Sequence, residues 1–223
     1  MARNFFLIFG PPGSGKGTQA ELLSEKTNWP TISVGDLLRK ERRENTELGK
    51  AMGAIMDRGE LVPSEIANQL IQDRLEEKDA QEGVILDGYP RNVEELDDLL
   101  GLVRKGDMIQ LILLEVKDED ILDRTATRLI CSGCGAKYNT KYLPPKQSDL
   151  CDRCGSKLIT RSDDKTEVVQ RRLADYHKAV EEMLKATYKA HYTINIDGGQ
   201  SIAQVQQDIW EAVERNIKDQ QDQ

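Results

Sequence analysis

Short apolar runs alternate with amphipathic segments along the whole chain. Apolar runs bounded by turn-forming residues indicate buried strands, whereas apolar positions spaced three and four apart indicate helices. The predicted strands are 5–9, 31–34, 83–88, 108–116 and 192–197, and the predicted helices are 16–26, 35–39, 48–56, 63–78, 93–103, 118–129, 166–189 and 201–217. We expect the polar tail, 218–223, to fray. Strands that alternate with helices predict an α/β fold with a parallel five-stranded sheet and helices on both faces.

Ligands of such sheets bind at the carboxyl ends of the strands. Three predicted strand ends carry glycine-rich or charged segments. They are residues 10–18 after the first strand, Asp36 and Arg39 after the second, and Asp87 and Arg91 after the third. We therefore expect these residues to meet at one edge of the sheet.

Composition excludes several classes of protein. The 223 residues are 38% hydrophobic and 31% charged, which is typical of a globular protein. No apolar run approaches the roughly 20 residues of a membrane span, and the short apolar stretch before Gly10 does not fit a signal peptide. We therefore expect a cytoplasmic protein without a membrane partner. The net charge of −8 argues against broad binding of nucleic acid, which usually needs a basic face.

The first strand leads into a phosphate-loop pattern, Gly10-x4-Gly15-Lys16. A buried strand, a glycine loop and a helix N-terminus form an anion cradle, because the loop N–H groups and the helix dipole point at the ligand. The hydroxyl expected directly after the lysine comes one residue later, since Gly17 precedes Thr18. The alternative is an ordinary glycine turn followed by a solvated lysine. The order of strand, loop and helix favours a nucleotide site in a fold of the P-loop NTPase type.

The cysteines form two C-x2-C pairs, Cys131 with Cys134 and Cys151 with Cys154. This spacing is typical of zinc, and four thiolates that fill a tetrahedron predict a structural ion. Two disulfides or free thiols are the alternative, which a cytoplasmic location disfavours. A zinc ribbon that binds nucleic acid is a rival function, but the segment has few basic residues.

Six arginines lie near predicted strand ends, helix ends or the cysteine segment: Arg39, Arg91, Arg124, Arg128, Arg161 and Arg172. Arginine commonly binds phosphate through two parallel hydrogen bonds. Each one alone could be a solvated surface residue. As a set beside a phosphate loop, they predict a site for several phosphates.

Four segments in order resemble the signature segments of the adenylate kinases, and the match covers nearly the whole chain. They are Gly10-Pro11-Pro12-Gly13-Ser14-Gly15-Lys16-Gly17-Thr18-Gln19, Asp36-Leu37-Leu38-Arg39, Leu86-Asp87-Gly88-Tyr89-Pro90-Arg91 and Thr160-Arg161-Ser162-Asp163-Asp164. The Gly17-Thr18 order is usual in that family. The cysteine quartet resembles the zinc-bearing lid of its long bacterial form.

The resemblance implies three parts. A core comprises residues 1–32, 63–126 and 165–223. A nucleoside-monophosphate lobe comprises 33–62, and a mobile zinc lid comprises 127–164. The implied reaction is reversible transfer of a phosphoryl group from Mg-ATP to AMP, giving two ADP, in an enzyme that acts as a monomer.

The resemblance also implies roles for individual residues. ATP would be bound by Gly13, Ser14, Gly15, Lys16, Gly17, Thr18, Arg124 and Arg128. The monophosphate would be bound by Val34, Arg39, Glu60, Val62, Gly88, Arg91, Glu95, Arg161 and Arg172. The catalytic residues would be Lys16, Arg91, Arg128, Arg161 and Arg172. Asp87 would hold Mg²⁺ through water, and Asp163 and Asp164 would help to close the lid.

Two positions depart from the family pattern, and both concern the acceptor base. Val34 stands where a threonine or serine is usual, and Glu95 stands where a glutamine is usual. An ionised carboxylate only accepts hydrogen bonds, whereas a glutamine amide both donates and accepts. A kinase with relaxed or altered specificity, for GMP, CMP or UMP, is therefore the alternative within this fold.

A phosphate-loop switch or hydrolase is an alternative from another class, but the sequence offers no clear residue to position a water. Phosphoryl transfer to a phosphate oxygen needs positioning and positive charge, and an ionised acceptor needs no general base. The two histidines, His177 and His191, are expected at the surface.

Overall fold

The computed structural model describes residues 2–187 and 192–221. Its strands are β1 (Asn4–Phe9), β2 (Thr31–Ile32), β3 (Gly83–Asp87), β4 (Met108–Glu115), β5 (Arg128–Cys131), β6 (Lys137–Asn139), β7 (Leu158–Ile159) and β8 (Tyr192–Asp197). Its α-helices are α1 (Lys16–Thr27), α2 (Val34–Arg43), α3 (Glu47–Asp57), α4 (Ser64–Leu75), α5 (Val93–Leu102), α6 (Asp118–Ala126), α7 (Thr166–Thr187) and α8 (Ile202–Gln221). Short 3₁₀ turns span Lys78–Ala80 and Ser162–Asp164.

The main sheet has five parallel strands, as predicted, and their order is β2-β3-β1-β4-β8. The register places Ile8 of β1 beside Asp87 of β3. Since the glycine loop follows β1 directly, Asp87 ends its strand next to that loop. The strand order therefore brings two predicted site segments together at one edge.

Alternate residues of β1 fill two apolar cores. Phe5, Leu7 and Phe9 lie in a cluster with residues of α2, α4 and α5. Phe6 and Ile8 lie in a second cluster with residues of α1 and α8. Successive side chains of a strand point to opposite faces. Helices therefore cover both faces of the sheet, which confirms the predicted fold class.

A second, antiparallel sheet has the order β6-β5-β7 and contains the cysteine segment. Its buried residues are Cys131, Ala136, Tyr138, Cys151 and Leu158. Two of these five are cysteines, so apolar burial alone gives this segment a very small core.

Three predicted boundaries were wrong. Val34 begins α2 instead of ending a strand, because the edge strand β2 pairs with β3 through only two residues. Helix α6 ends at Ala126, because residues 128–130 pair with β6. Residues 218–221 continue α8, in keeping with their lack of glycine and proline. Residues 188–189 of the predicted seventh helix lie outside the described residues.

Within the described ranges, no helix combines the length and the apolar character needed to cross a membrane.

Candidate active site and metal centre

The phosphate loop (residues 10–18) joins β1 to α1 and depends on glycine at two points. Gly13 has φ of 83°, and a Cβ there would lie 2.7 Å from Thr125 Cγ2. Gly15 has φ of 98° and caps the N-terminus of α1. Both values lie in the left-handed region, which side chains disfavour. The backbone is thus free to turn its N–H groups toward an anion at the helix N-terminus.

Lys16 is held against its own loop. Its Nζ donates to the carbonyl oxygens of Gly10, at 2.6 Å, and Pro11, at 2.8 Å. Burial lowers the pKa of Lys16 to about 7, with further lowering by Arg91 and Arg172 and opposition from Asp87. An anion in the cradle would favour the ammonium form.

Arg124, on α6, borders the loop on its other side. Its guanidinium donates to the carbonyl oxygens of Ser14, at 3.2 Å, and Gly198, at 2.8 Å. It also lies 5.6 Å from the ring centroid of Tyr142. These contacts fix a flat cation and an exposed aromatic ring beside the loop, a suitable surface for a planar base.

The 3₁₀ turn Ser162–Asp164 binds three further arginines, Arg128, Arg161 and Arg172. Asp163 accepts from Arg161 Nε and from Arg172 Nη1, both at 2.8 Å. Asp164 accepts from Arg128 Nε at 2.8 Å. Burial would raise the pKa of Asp163, but Arg161 and Arg172 hold it far below its usual range. Burial also lowers the pKa of Arg172 to about 10, although Asp163 opposes the shift. Two buried carboxylates thus hold three arginines in place.

Arg39, on α2, and Arg91, after β3, border the same cleft. Arg39 Nε donates to Asp36 at 3.1 Å, and Arg91 Nε donates to the Gly88 carbonyl at 2.8 Å. Both arginines also border a cavity of about 40 Å³, lined by Val34, Leu38, Glu60, Val62 and others. Glu60 is largely exposed and pairs with Arg58 at 2.7 Å.

Glu95 is buried, with 2% of its surface exposed. Its Oε2 accepts from the Arg91 backbone N–H at 2.6 Å, while its own N–H donates to Asn92 Oδ1 at 2.8 Å. Burial raises the pKa of Glu95, against the effect of Arg91. The carboxylate therefore supports the turn that carries Arg91, and one of its oxygens is already engaged.

Most predicted residues line one cleft of about 440 Å³. It is bordered by Gly13, Ser14, Gly15, Lys16, Gly17, Thr18, Arg39, Asp87, Gly88, Arg91, Arg124, Arg128, Arg161 and Arg172. Val34, Glu60 and Val62 line the smaller cavity instead. Glu95 lies behind Arg91.

Sequence reasoning assigned no role to several side chains that reach this cleft from the cysteine segment, among them Lys137 and Tyr142. Their position directly after the first cysteine pair, where the second sheet faces the loop, is a signal that could have found them.

The four cysteine Sγ atoms lie within 4.8 Å of one another. The Cys131–Cys154 and Cys134–Cys151 pairs are 3.4 and 3.6 Å apart, and all four thiols are free. A tetrahedral zinc site with bonds of about 2.3 Å separates its sulfurs by about 3.8 Å. Gly135 and Gly155, with φ of 77° and 72°, close matching turns after each pair. The donor set therefore fits a four-coordinate metal, and none of the four cysteines forms a disulfide in this structure.

His177 is exposed, as predicted, and its Nε2 lies 3.1 Å from both carboxylate oxygens of Asp118. His191 lies outside the described residues.

Comparisons with known proteins agree with this geometry. A family model described as adenylate kinase matches residues 8–193. An adenylate kinase of Caldanaerobacter subterraneus is 45% identical over 93% of this chain and 95% of its own length. One from Methanosarcina barkeri is 43% identical over 91% and 95%, and one from Petrotoga mobilis is 44% identical over 92% and 94%.

Proposed function

This chain belongs to the adenylate kinase family and is a nucleoside monophosphate kinase, and we propose that it catalyses ATP + AMP = 2 ADP. The observation that carries the proposal is the set of cations around one cleft. Lys16 and Arg124 contact the glycine loop, and Arg39 and Arg91 border the same cleft. Arg128, Arg161 and Arg172 border it as well. So many cations around one cleft suit the phosphates of two nucleotides.

The chemistry asks little of the protein beyond alignment and charge. An oxygen of the AMP phosphate attacks the γ-phosphorus of ATP, the bond to the β–γ bridging oxygen breaks, and ADP leaves with those electrons. The attacking oxygen is already ionised, so no proton needs to be removed. Positive charge at the equatorial oxygens of the transferring group lowers the barrier.

We assign the donor side to the loop residues Gly13 to Thr18, with Arg124 against the ATP base. Lys16, Arg91, Arg128, Arg161 and Arg172 would contact the transferring group. Mg²⁺ bound with ATP would supply further positive charge at the β- and γ-phosphates. The carboxylate of Asp87, which ends β3 beside the loop, is suited to hold it through water.

We further propose that residues 127–164 act as a lid and residues 33–62 as the monophosphate lobe. Several of the arginines are buried with only two carboxylate partners at the turn Ser162–Asp164. Buried cations that outnumber their partners are tolerable when anions enter. Bound nucleotides would supply those anions, and closure of a lid over them would keep water from the γ-phosphate.

We propose that the lid metal is zinc with a structural role. Support comes from the all-thiolate donor set, which leaves no open coordination position, and from the very small apolar core around it.

A second candidate is the same reaction with relaxed selection of the monophosphate. It is favoured by Val34 and Glu95, which replace the hydroxyl and amide usual in the family. The hydrogen bond from the Arg91 N–H to Glu95 leaves at most one carboxylate oxygen for the base. An ionised Glu95 cannot donate to adenine N1.

One experiment separates these candidates. The rate constant kcat/KM for ADP formation is measured with AMP, GMP, CMP and UMP, for the wild type and E95Q. We expect AMP to be the best acceptor of both enzymes, with the larger margin in E95Q. A higher value for another monophosphate would overturn the AMP assignment, and equal margins would overturn the relaxed selection.

Cytoplasmic location, a monomeric state and the absence of nucleic-acid partners stay expectations, supported by the net charge of −8 and by the resemblance.

A further inference from the structure

Lys137, on β6 of the lid, reaches out of its own sheet into the cleft. Its Nζ lies 3.1 Å from Asp36 Oδ2 and 3.2 Å from Glu21 Oε1. A Cβ placed on Gly17 would lie 2.5 Å from the same Nζ and 3.0 Å from Asp87 Oδ2. The ammonium group therefore sits at the first turn of α1, beside the phosphate loop.

The carboxylates around this ammonium come from three different elements. Glu21 is on α1, Asp36 is on α2, and Asp87 ends β3. Burial alone would lower the pKa of Lys137, but Asp36, Asp87 and Glu21 outweigh it and raise the pKa. The side chain is therefore a permanent cation that joins the lid to both other parts of the molecule.

Each of the two contacted carboxylates divides its oxygens between two cations. Asp36 binds Arg39 through Oδ1 and Lys137 through Oδ2. Glu21 binds Lys137 through Oε1 and Arg153, also of the lid, through Oε2 at 3.2 Å. The lid thus places two cations on one acid of α1, and one of them also reaches the acid that holds Arg39.

This cluster differs from an ordinary surface pair in burial. The Lys137 side chain is 20% exposed, whereas Lys141 and Asp123 form a lid pair that is 56% and 41% exposed. Exposed pairs contribute little because water and salt screen them. A mostly buried ammonium among three carboxylates is screened less, and its hydrogen bonds are charge-assisted.

We propose that Lys137 is the electrostatic latch of the lid: its ammonium binds Asp36 and Glu21 when the lid lies against the core and the monophosphate lobe, and so sets how often the lid closes before nucleotides arrive. This role rests on the lid movement proposed above. The latch also positions Asp36, and through it Arg39, for the acceptor phosphate. It acts from the lid without contacting the reacting atoms.

The test measures lid position in the nucleotide-free enzyme. Azide-bearing residues at Ser148 of the lid and Ala51 of α3 accept a dye pair without use of the metal-binding cysteines. Distances are recorded by single-molecule energy transfer for the wild type, K137M and K157M. K137M keeps most of the length of the side chain and removes its charge. K157M, at an exposed lid position, removes one positive charge as a matched control.

We expect K137M to lower the ratio of closed to open molecules by about 10-fold, since hydrogen bonds between charged groups are strong. K157M should leave the ratio within about 2-fold of the wild type. Added salt should open the wild type more than K137M, because only the wild type has this ionic interaction for salt to weaken. E21Q should lower the ratio as well, and E21Q combined with K137M should be less than additive.

An unchanged ratio in K137M, in a lid that still closes with ATP and AMP, would overturn the latch and leave the kinase assignment intact. An unchanged ratio in K137M together with a raised KM for ATP would make Lys137 a phosphate ligand instead. A lid distance that never responds to nucleotides would overturn the proposed lid movement itself.

Discussion

The phosphate loop and the lid both border the nucleotide cleft, but they are held in shape by different forces. The loop follows β1, whose residues Phe5 to Phe9 are all buried in the two cores of the main sheet. The lid has a small buried cluster in which cysteines are prominent. The loop therefore takes its rigidity from the apolar core, whereas we propose that the lid depends on a bound metal and on charges. Substitutions in the two regions should therefore have opposite effects. In the loop they should lower activity without lowering stability, whereas in the lid they should mainly disrupt local structure.

The largest effect should follow removal of the loop cation in K16M. We expect kcat/KM to fall by about 10³-fold or more, because loss of one preorganised charge at a developing anion has effects of this size. The thermal midpoint should hold or rise, since burial already disfavours the Lys16 ammonium. Steady-state kinetics and calorimetry on the same preparation check both parts. Strong destabilisation with modest loss of activity would contradict the view that the loop is shaped by the core.

The opposite signature is expected for C151S, which removes one of the two buried cysteines of the lid. Bound zinc should fall from about one equivalent per chain toward zero, because a structural site needs all four ligands. Activity should fall by about 10²-fold, the usual size for misplaced catalytic groups. Metal analysis and hydrogen exchange measure the outcome.

Amides of β5 to β7 should lose protection in C151S while those of β1 and β4 keep theirs. S148A, at an exposed lid position, serves as the control with its metal retained. Equal loss of protection in the main sheet would mean that the lid and the core fold as one unit.

The next effect lies where the lid meets helix α7, at Asp163. D163N removes the charge that pairs Arg161 and Arg172, and we expect a loss of about 3 kcal/mol in the free energy of unfolding. D57N is the matched control, because Asp57 pairs with the more exposed Arg42 and should contribute less than about 1 kcal/mol. Denaturant titration measures both. Equal effects of the two variants would show that the buried set is no stronger than a surface pair.

The smallest effect concerns Glu95 and pH. Burial raises the pKa of Glu95, with Glu94 and Asp98 adding to the shift and Arg91 opposing it. A protonated carboxyl group donates one hydrogen bond and accepts another, as a glutamine amide does. The preference for AMP over GMP should therefore grow several-fold as pH falls through this raised pKa. The ratio of kcat/KM values is measured between about pH 4 and pH 8, a range that begins near the ordinary glutamate pKa and extends well above it. E95Q should give a flat ratio, and a flat wild-type profile would remove Glu95 from base selection.

The sequence predicted the loop, the sheet and the cysteine quartet well because each depends on local patterns. The spacing of Gly10, Gly15 and Lys16 can be recognised without knowledge of the tertiary structure. The same holds for two C-x2-C pairs, whose spacing itself indicates a metal site. Lys137 could not be predicted in the same way. Its partners Glu21 and Asp36 are more than 100 residues away. The hydrophobic periodicity of the sequence does not indicate which carboxylates the lid will contact.

Glu95 gives the same lesson at shorter range. Its residue type was read as a departure from the family pattern, but its orientation depends on the helix start at Asn92 and on its hydrogen bond with the Arg91 N–H. Burial of this carboxylate behind the turn depends on the tertiary structure, because it follows from the packing of α5 against the sheet.

The central claim is that the cleft transfers a phosphoryl group between two nucleotides. It is tested most directly with ATP labelled by ¹⁸O in its γ-phosphoryl group, incubated with AMP and followed by ³¹P NMR. We predict that the label appears in the β-phosphate of the ADP made from AMP, with no inorganic phosphate formed before that ADP. Label released first as inorganic phosphate, at the same rate with or without AMP, would contradict the account and make the protein a hydrolase.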